Sequence, residues 1–396
     1  MSSVPDWKTV NFGEIAEQIV DRIDNPEDTD LVDYIGLEHI DSGNLKIPTY
    51  GKATDVVSSK FVCRKGDIIF SRRRAYLRKL AISDRGALVS TDAMVIRPKA
   101  GFLKQFLVLV MQTDKFWNEV ISRSAGSLSP RIKWRDLSRI HVSLPPTEVQ
   151  EKISRIIFCV QDNLEKTENL VKVAEKLKKG LLEELLTKGI GHREFKKTEM
   201  GEIPEDWSIV SLGEICEERK DRAYPPYEKQ KYVSLEQMHS ADLIQNVFAE
   251  SQSVQSVTNK FLAGDLLYGK LRPNLDKAAI AHFDGICTTE ILVINSKPST
   301  SNNYLLLHFK SKPFVEYNSN GAYGTKMPRT SFGILSKHKI PIGSVEEQNR
   351  ILAVVNSLNT FESNCRKQIE ELANLNKKLT NLFLSGELLI PKEDMS

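Results

Sequence analysis

The sequence predicts an α+β protein written twice: two tandem α/β domains with mixed or curved sheets, each followed by one long helix. Three observations carry that prediction. First, from Glu148 to Lys188 a heptad row recurs at Ile153, Val160, Thr167, Ala174 and Leu181. Ile156, Leu170 and Leu177 form a companion row, with Asn163 and Glu184 as its polar members. Second, the spacing returns from Val345 to Ser385, where Ile351, Leu358, Cys365, Leu372 and Leu379 make one row. Val354, Phe361, Leu375 and Leu382 make the other, with Gln368 polar. Third, the stretches that precede the two helices repeat the same words in the same order.

A heptad stripe held over roughly 40 residues reads as a coiled-coil seam about 60 Å long, not as an ordinary surface helix. Its apolar face stays wet unless another helix covers it. The second helix, 198 residues on, is the expected cover: Ile351 answers Ile153 and Leu379 answers Leu181. Periodicity gives the seam but not its polarity.

The repeated words set the rest of the layout. Asp6-Trp7 opens the first half and Asp206-Trp207 the second. Tyr34-Ile35-Gly36-Leu37-Glu38 is answered by Tyr232-Val233-Ser234-Leu235-Glu236, and Gly66-Asp67-Ile68-Ile69-Phe70 by Gly264-Asp265-Leu266-Leu267-Tyr268. Thr91-Asp92 meets Thr289-Glu290, and Pro130-Arg131 meets Pro328-Arg329. In the first copy, short apolar runs at 67–70, 79–82, 86–89, 93–96 and 139–144 read as strands. Residues 102–123 and their counterparts 303–320 carry a helical pattern. The domains are therefore expected at 1–147 and 204–344, with the helices at 148–188 and 345–386 and a tail at 387–396. Residues 189–203 lack apolar periodicity and are Gly-rich, which reads as a linker.

Composition bounds the class. The chain has 396 residues, 40% hydrophobic and 27% charged, as in ordinary globular proteins. Its start has no basic segment running into an apolar one, and no run approaches the length of a membrane span, so a cytoplasmic location is expected. The five scattered cysteines form no Cys-x-x-Cys pair, which argues against a disulfide framework or a zinc ribbon. A net charge of +3 is too mild to identify a nucleic-acid binder from the total. Local distribution has to carry that case.

Two loops in each copy carry it. Residues 60–85 hold nine Lys or Arg against two acids. The centre of that stretch, directly after a predicted strand, offers Arg72, Arg73, Arg74, Tyr76, Arg78 and Lys79. The second copy offers Lys270, Arg272, Asn274 and Lys277 at the same place. Arg can grip guanine bidentately and Asn can grip adenine, while Lys mostly answers phosphate. The other loop, Ser122 to Arg135, has no carboxylate and presents Ser127, Ser129, Arg131 and Lys133. Its counterpart presents Tyr323, Thr325, Lys326 and Arg329. All of these are candidate DNA contacts.

Motifs that resemble enzyme sites fail on inspection. Gly264 to Leu271 spells most of a phosphate-binding P-loop, but Leu271 stands where a magnesium-binding hydroxyl is required. Tyr224-Pro225-Pro226-Tyr227 resembles an adenine-methyltransferase motif, yet Tyr224 cannot accept from the target amine as Asn or Asp does. The His residues show no metal-ligand spacing. No catalytic residue, metal or cofactor is expected in this chain.

The arrangement resembles the specificity subunits of type I restriction–modification enzymes. The words that carry the resemblance are the Asp-Trp openings, Gly66 to Arg72, Ser129-Pro130-Arg131-Ile132, Leu144-Pro145-Pro146-Thr147-Glu148-Val149-Gln150, and the junction Met200 to Trp207. The second copy departs in having Gly343-Ser344 where a Pro-Pro entry is usual. The resemblance implies two target recognition domains, each reading one half of a bipartite double-stranded DNA target. It also implies an antiparallel helix pair that sets the gap between the halves and docks two modification subunits. S-adenosylmethionine, ATP and magnesium are then expected on the modification and restriction subunits. Two other readings use the same residues: a self-contained DNA methyltransferase or nuclease with two reading domains, and a coiled-coil scaffold without a DNA role.

Overall fold

The computed structural model describes residues 7–238, 248–324 and 326–388. It divides into two compact units, one of Met1–Thr167 with Lys367–Ser396 and the other of Glu168–Arg366. The division falls inside both long helices rather than at their ends, because each half-helix joins the hydrophobic core of a globular domain. Asp6, Thr325 and the end of the tail lie outside the described residues.

Each unit repeats one sheet topology. In the first, Lys8–Asn11 pairs with His141–Leu144. An antiparallel four-stranded sheet follows in the order Ala16–Ile19, Ala93–Pro98, Ile68–Ser71, Leu80–Ile82. A five-stranded sheet runs Arg22–Ile23, Lys60–Cys63, Ala87–Val89, Asp33–Ile35, Gly51–Lys52, and is mixed because Asp33–Ile35 lies parallel to Ala87–Val89. The second unit has the same orders, with Ile291–Ser296 and Leu266–Gly269 central to its four-stranded sheet and Lys231–Val233 parallel to Gly285–Thr288. The duplication is thus one of topology as well as of words.

The strand leading to each basic loop is buried on both faces, so its sequence is a continuous apolar run. Ile68 and Phe70 enter one core while Ile69 enters another. Leu266 and Tyr268 likewise part from Leu267. Phe70 stacks on Trp117 with ring centroids 5.1 Å apart, and Tyr268 meets Phe309 edge-on at 5.3 Å. The Gly-Asp word before this strand makes a turn. Gly66 and Gly264 both have φ +94°, and the buried carboxylates of Asp67 and Asp265 accept from Arg97 and Arg219 at 2.7 and 2.8 Å. The P-loop-like stretch is therefore a turn and a core strand.

Two predicted helices are each broken in two. Lys104–Gln112 and Asp114–Ser122 are separated by Thr113, which is extended and caps the second with its hydroxyl on the Phe116 amide at 3.2 Å. Asn302–Phe309 and Lys312–Gly321 are separated by Lys310 and Ser311; Pro313 lacks the N–H that would continue the first helix and sits in the first turn of the second. The expected linker also differs. Phe195–Thr198 and Gly201–Pro204 form a hairpin, and Ile203 is buried in the second unit's core. Its apolar anchors are too few to show as periodicity.

The long helices run from Thr147 to Lys188 and from Val345 to Ser385. In the first unit Ile153 and Ile157, early in one helix, share a core with Phe383, late in the other. In the second unit Leu185 and Leu186 share a core with Ile351 and Val355, while Lys178 pairs with Glu362 at 2.5 Å and Glu175 with Arg366. Rising numbers on one helix meet falling numbers on the other, so the pairing is antiparallel within each unit.

The first heptad rows lie where the sequence puts them: Ile153 and Ile351 are buried, and Val160, Leu181, Leu358, Leu372 and Leu379 are half-buried. The companion rows are one residue out. Leu170, Leu177 and Phe361 are 50%, 56% and 44% exposed, whereas Ile157, Val171, Leu185, Val355 and Phe383 are buried. Both helices carry apolar residues three and four positions after the main row, so the pattern allows either choice. Packing selects the row at four.

Candidate nucleic-acid interface

Residues 71–74 leave the buried strand and zip against 129–132. The Arg74 amide donates to the Pro130 carbonyl at 2.8 Å, and the Ile132 amide to the Arg72 carbonyl at 3.0 Å. The second copy repeats this: the Arg272 amide donates to Pro328 at 2.8 Å and the Thr330 amide to Lys270 at 3.0 Å. The two predicted contact loops of each copy therefore form one surface. Gly126 and Gly324, at φ +114° and +94°, let the second loop turn back on itself.

In the first copy a carboxylate also clips the pair of loops together. Asp92 accepts from Arg73 at 2.9 Å and from Arg131 at 2.7 Å. Arg73 also donates to the Ser129 hydroxyl at 3.1 Å. In the second copy Glu290 accepts from Arg329 at 3.0 Å. Asp92 and Glu290 have no place among the residues the sequence singled out. The signal was present, since Thr91-Asp92 and Thr289-Glu290 are repeated words, but an acid is not sought in a basic patch.

Beyond the clip, the basic loop makes a single 3-10 turn framed by residues in the left-handed region. Arg74 and Arg78 have φ of 53° and 50°, and Arg272 and Asp276 have 51° and 50°. Arg78 pairs with Asp114, whereas Asp276 pairs with Lys310 at 3.4 Å, so the charges of the frame are exchanged between copies. Burial pushes the Asp276 carboxyl up to about 6, and the Lys310 ammonium opposes that shift. Lys79 and Lys277 donate to the Leu37 and Leu235 carbonyls at 2.7 and 2.5 Å.

The candidate contacts thus divide. Arg73, Arg78, Lys79, Ser129, Arg131, Lys277 and Arg329 are engaged within the protein and build the platform. Arg72 and Lys270 are half-buried. Arg74, Tyr76, Ser127, Lys133, Arg272, Asn274, Tyr323 and Lys326 face solvent. Thr325 lies outside the described residues. The sequence reasoning missed the apolar members of this surface: Leu77, Leu128, Leu275 and Met327 are exposed as well.

Among the described residues, one group outside the loops has donor atoms close enough for a single metal ion: His192, Asp206 and Glu347, within 4.8 Å of one another. Glu347 is already engaged. Its oxygens accept from Trp207 Nε1 at 2.7 Å and the Ile190 amide at 3.1 Å, and one lies 2.6 Å from His192 Nε2. Burial works against its charge, yet these hydrogen bonds hold its carboxyl below the usual range. The cluster ties the start of the second long helix to the segment before Trp207.

Among the described residues, no helix is long and apolar enough to cross a membrane. A family model described as the type I restriction modification DNA specificity domain matches residues 5–174 and again 204–374. The chain is 24% identical to the MjaVIII type I restriction enzyme specificity subunit of Methanocaldococcus jannaschii, covering 97% of this chain and 93% of that one. It is 22% identical to the EcoDI specificity subunit of Escherichia coli, over 97% and 89% of the two chains. A chain in a solved structure of the type I R-M system superposes with a TM-score of 0.60 at 20% identity, covering 97% of this chain and 99% of that one.

Proposed function

The chain belongs to the type I restriction modification DNA specificity domain family, which it carries twice, and from that premise we propose that each copy reads one half of a bipartite duplex target. It is the non-catalytic DNA specificity subunit of a type I restriction–modification complex, and it works with partner subunits. The observation that carries the bipartite reading is the loop surface built twice: a backbone-zipped pair of loops, with an acid on the Arg131 or Arg329 side chain, that presents Arg74 and Tyr76 in one copy and Arg272 and Asn274 in the other. Exposed Arg, Asn and Tyr beside Ser and Lys suit base edges and phosphates together.

The helix pair acts as the spacer and as the dock for two modification subunits. Two features of the second unit support docking. Along one flank of the pair Glu175 and Arg366 meet as an ion pair. Along the other flank Leu170, Leu177 and Phe361 stay exposed, an apolar row that partner helices would cover. S-adenosylmethionine belongs to the modification subunits, ATP and magnesium to the restriction subunits, and the site of action is cytoplasmic DNA. Removing one heptad from each helix tests the spacer. DNA selected by the reconstituted complex should then show a changed gap between unchanged half-sites, and an unchanged gap would refute the spacer role.

A further inference from the structure

Both copies hold the same strained turn with different residues at its tip. Arg74-Ala75-Tyr76-Leu77-Arg78 and Arg272-Pro273-Asn274-Leu275-Asp276 share two left-handed end residues and a buried second residue. They also share the amide anchor onto Pro130 or Pro328 at 2.8 Å. Among the described residues, these four end positions are the non-glycine residues with positive φ. Such a conformation costs on the order of 1 kcal/mol or more per residue. It persists in both copies although the sequence of the turn has changed and the charge of its last residue has reversed. A frame kept at that cost while its content varies has the form of a reading head.

The frame aims three side chains outward. In the first copy they are Arg74, Tyr76 and Leu77, and in the second Arg272, Asn274 and Leu275. Tyr76 is 52% exposed, and Arg74 and Arg272 have no side-chain partner among the described residues. The Arg and the Leu are common to both tips, and the middle residue differs.

Resting on the bipartite reading above, we propose that this turn is the specificity-determining tip of each domain. Arg74 and Arg272 read a guanine at the same register of the two half-sites. The neighbouring base is set by Tyr76 in one half and by Asn274 in the other. A free guanidinium reaches guanine O6 and N7 together, and an Asn amide reaches adenine N6 and N7. A Tyr at that place offers a ring to a thymine methyl and cannot grip adenine bidentately. The second half-site therefore carries an adenine beside its guanine, and the first does not require one.

The test uses the full chain assembled with its modification subunits and a random duplex library from which bound DNA is recovered. Arg74→Gly keeps the left-handed backbone accessible while deleting the side chain. It should erase the guanine preference in the first half-site, by on the order of 10- to 100-fold in discrimination. Tyr76→Asn should create an adenine preference at the adjoining position of the same half-site. The second half-site stays unchanged in both variants and serves as the folding control; Arg272→Gly gives the mirror result. A first half-site unaltered by both variants overturns the proposal, as does a loss of affinity equal for all sequences, which marks a phosphate contact. Either result leaves the bipartite reading standing. A wild-type complex that recovers no sequence preference overturns that reading and this one together.

Discussion

Replacing Asp92 by Ala separates the loops' role in reading from their charge. Asp92 is about a quarter exposed, and its partners Arg73 and Arg131 are 38% and 47% exposed in their side chains. Ion pairs so placed contribute about 0.2–1 kcal/mol each, so losing both costs about 0.5–2 kcal/mol. The buried strand, the Phe70–Trp117 stack and the backbone zip to 129–132 remain, and the unit stays folded. Two guanidinium groups are released and one negative charge is removed. Non-specific DNA binding should therefore rise and its salt dependence steepen. Discrimination at the first half-site should fall about tenfold, the equivalent of roughly 1.4 kcal/mol of lost loop order. The assay is competition binding by the reconstituted complex, with the specific site against duplexes scrambled in one half. Glu290→Ala releases Arg329 alone and should lower discrimination in the second half by a smaller factor. Full first-half discrimination in Asp92→Ala, or equal loss in both halves, would refute the reasoning.

Two further outcomes follow from packing and burial. Val171→Glu puts an unpaired carboxylate into the helix seam and should cost about 2–4 kcal/mol in thermal or urea unfolding. Leu177→Glu, on the exposed flank, should stay within about 0.5 kcal/mol and instead weaken association with modification subunits in a co-purification titration; the reverse ranking would move the seam. His308 is fully buried, and desolvation pushes its imidazole down to about 3. Its folded pKa lies below the unfolded value, so its contribution to stability is complete above about pH 6.5 and falls by up to ~1.4 kcal/mol per unit as pH drops. Asp276 acts oppositely, its charge penalty being relieved as pH falls from about 6 toward its ordinary value. Urea unfolding at several pH values should show His308→Phe less acid-sensitive and Asp276→Asn more so; a His308→Phe profile like wild type contradicts the assignment.

The fold was legible where one signal dominates. Heptad spacing located both helices, because a long seam repeats its constraint many times. The strand expected at 67–70 is there at Ile68–Ser71, while Gly66 and Asp67 form the turn before it, fixed by a positive φ and a buried salt bridge. What failed was choice among near-equal patterns. Ile156 and Ile157 are both apolar, and only three-dimensional contact decides which faces the partner helix. Thr113 broke a helix by turning its own hydroxyl into a cap, a local competition that apolar periodicity does not register. In the candidate site, position was legible and role was not. Charge density found the loops, but it counted Arg73 and Arg131 as free when Asp92 holds them both. It also passed over Leu77 and Leu275, which stand partly exposed at the tips.

The most direct test of the account exchanges loops between the copies. Residues 71–79 and 122–133 of the full chain are replaced by 269–277 and 320–331, and the sites modified by the assembled complex are mapped in DNA. The first half of the target should then match the second, with the spacing kept. An unchanged target, or one altered in both halves, would contradict it.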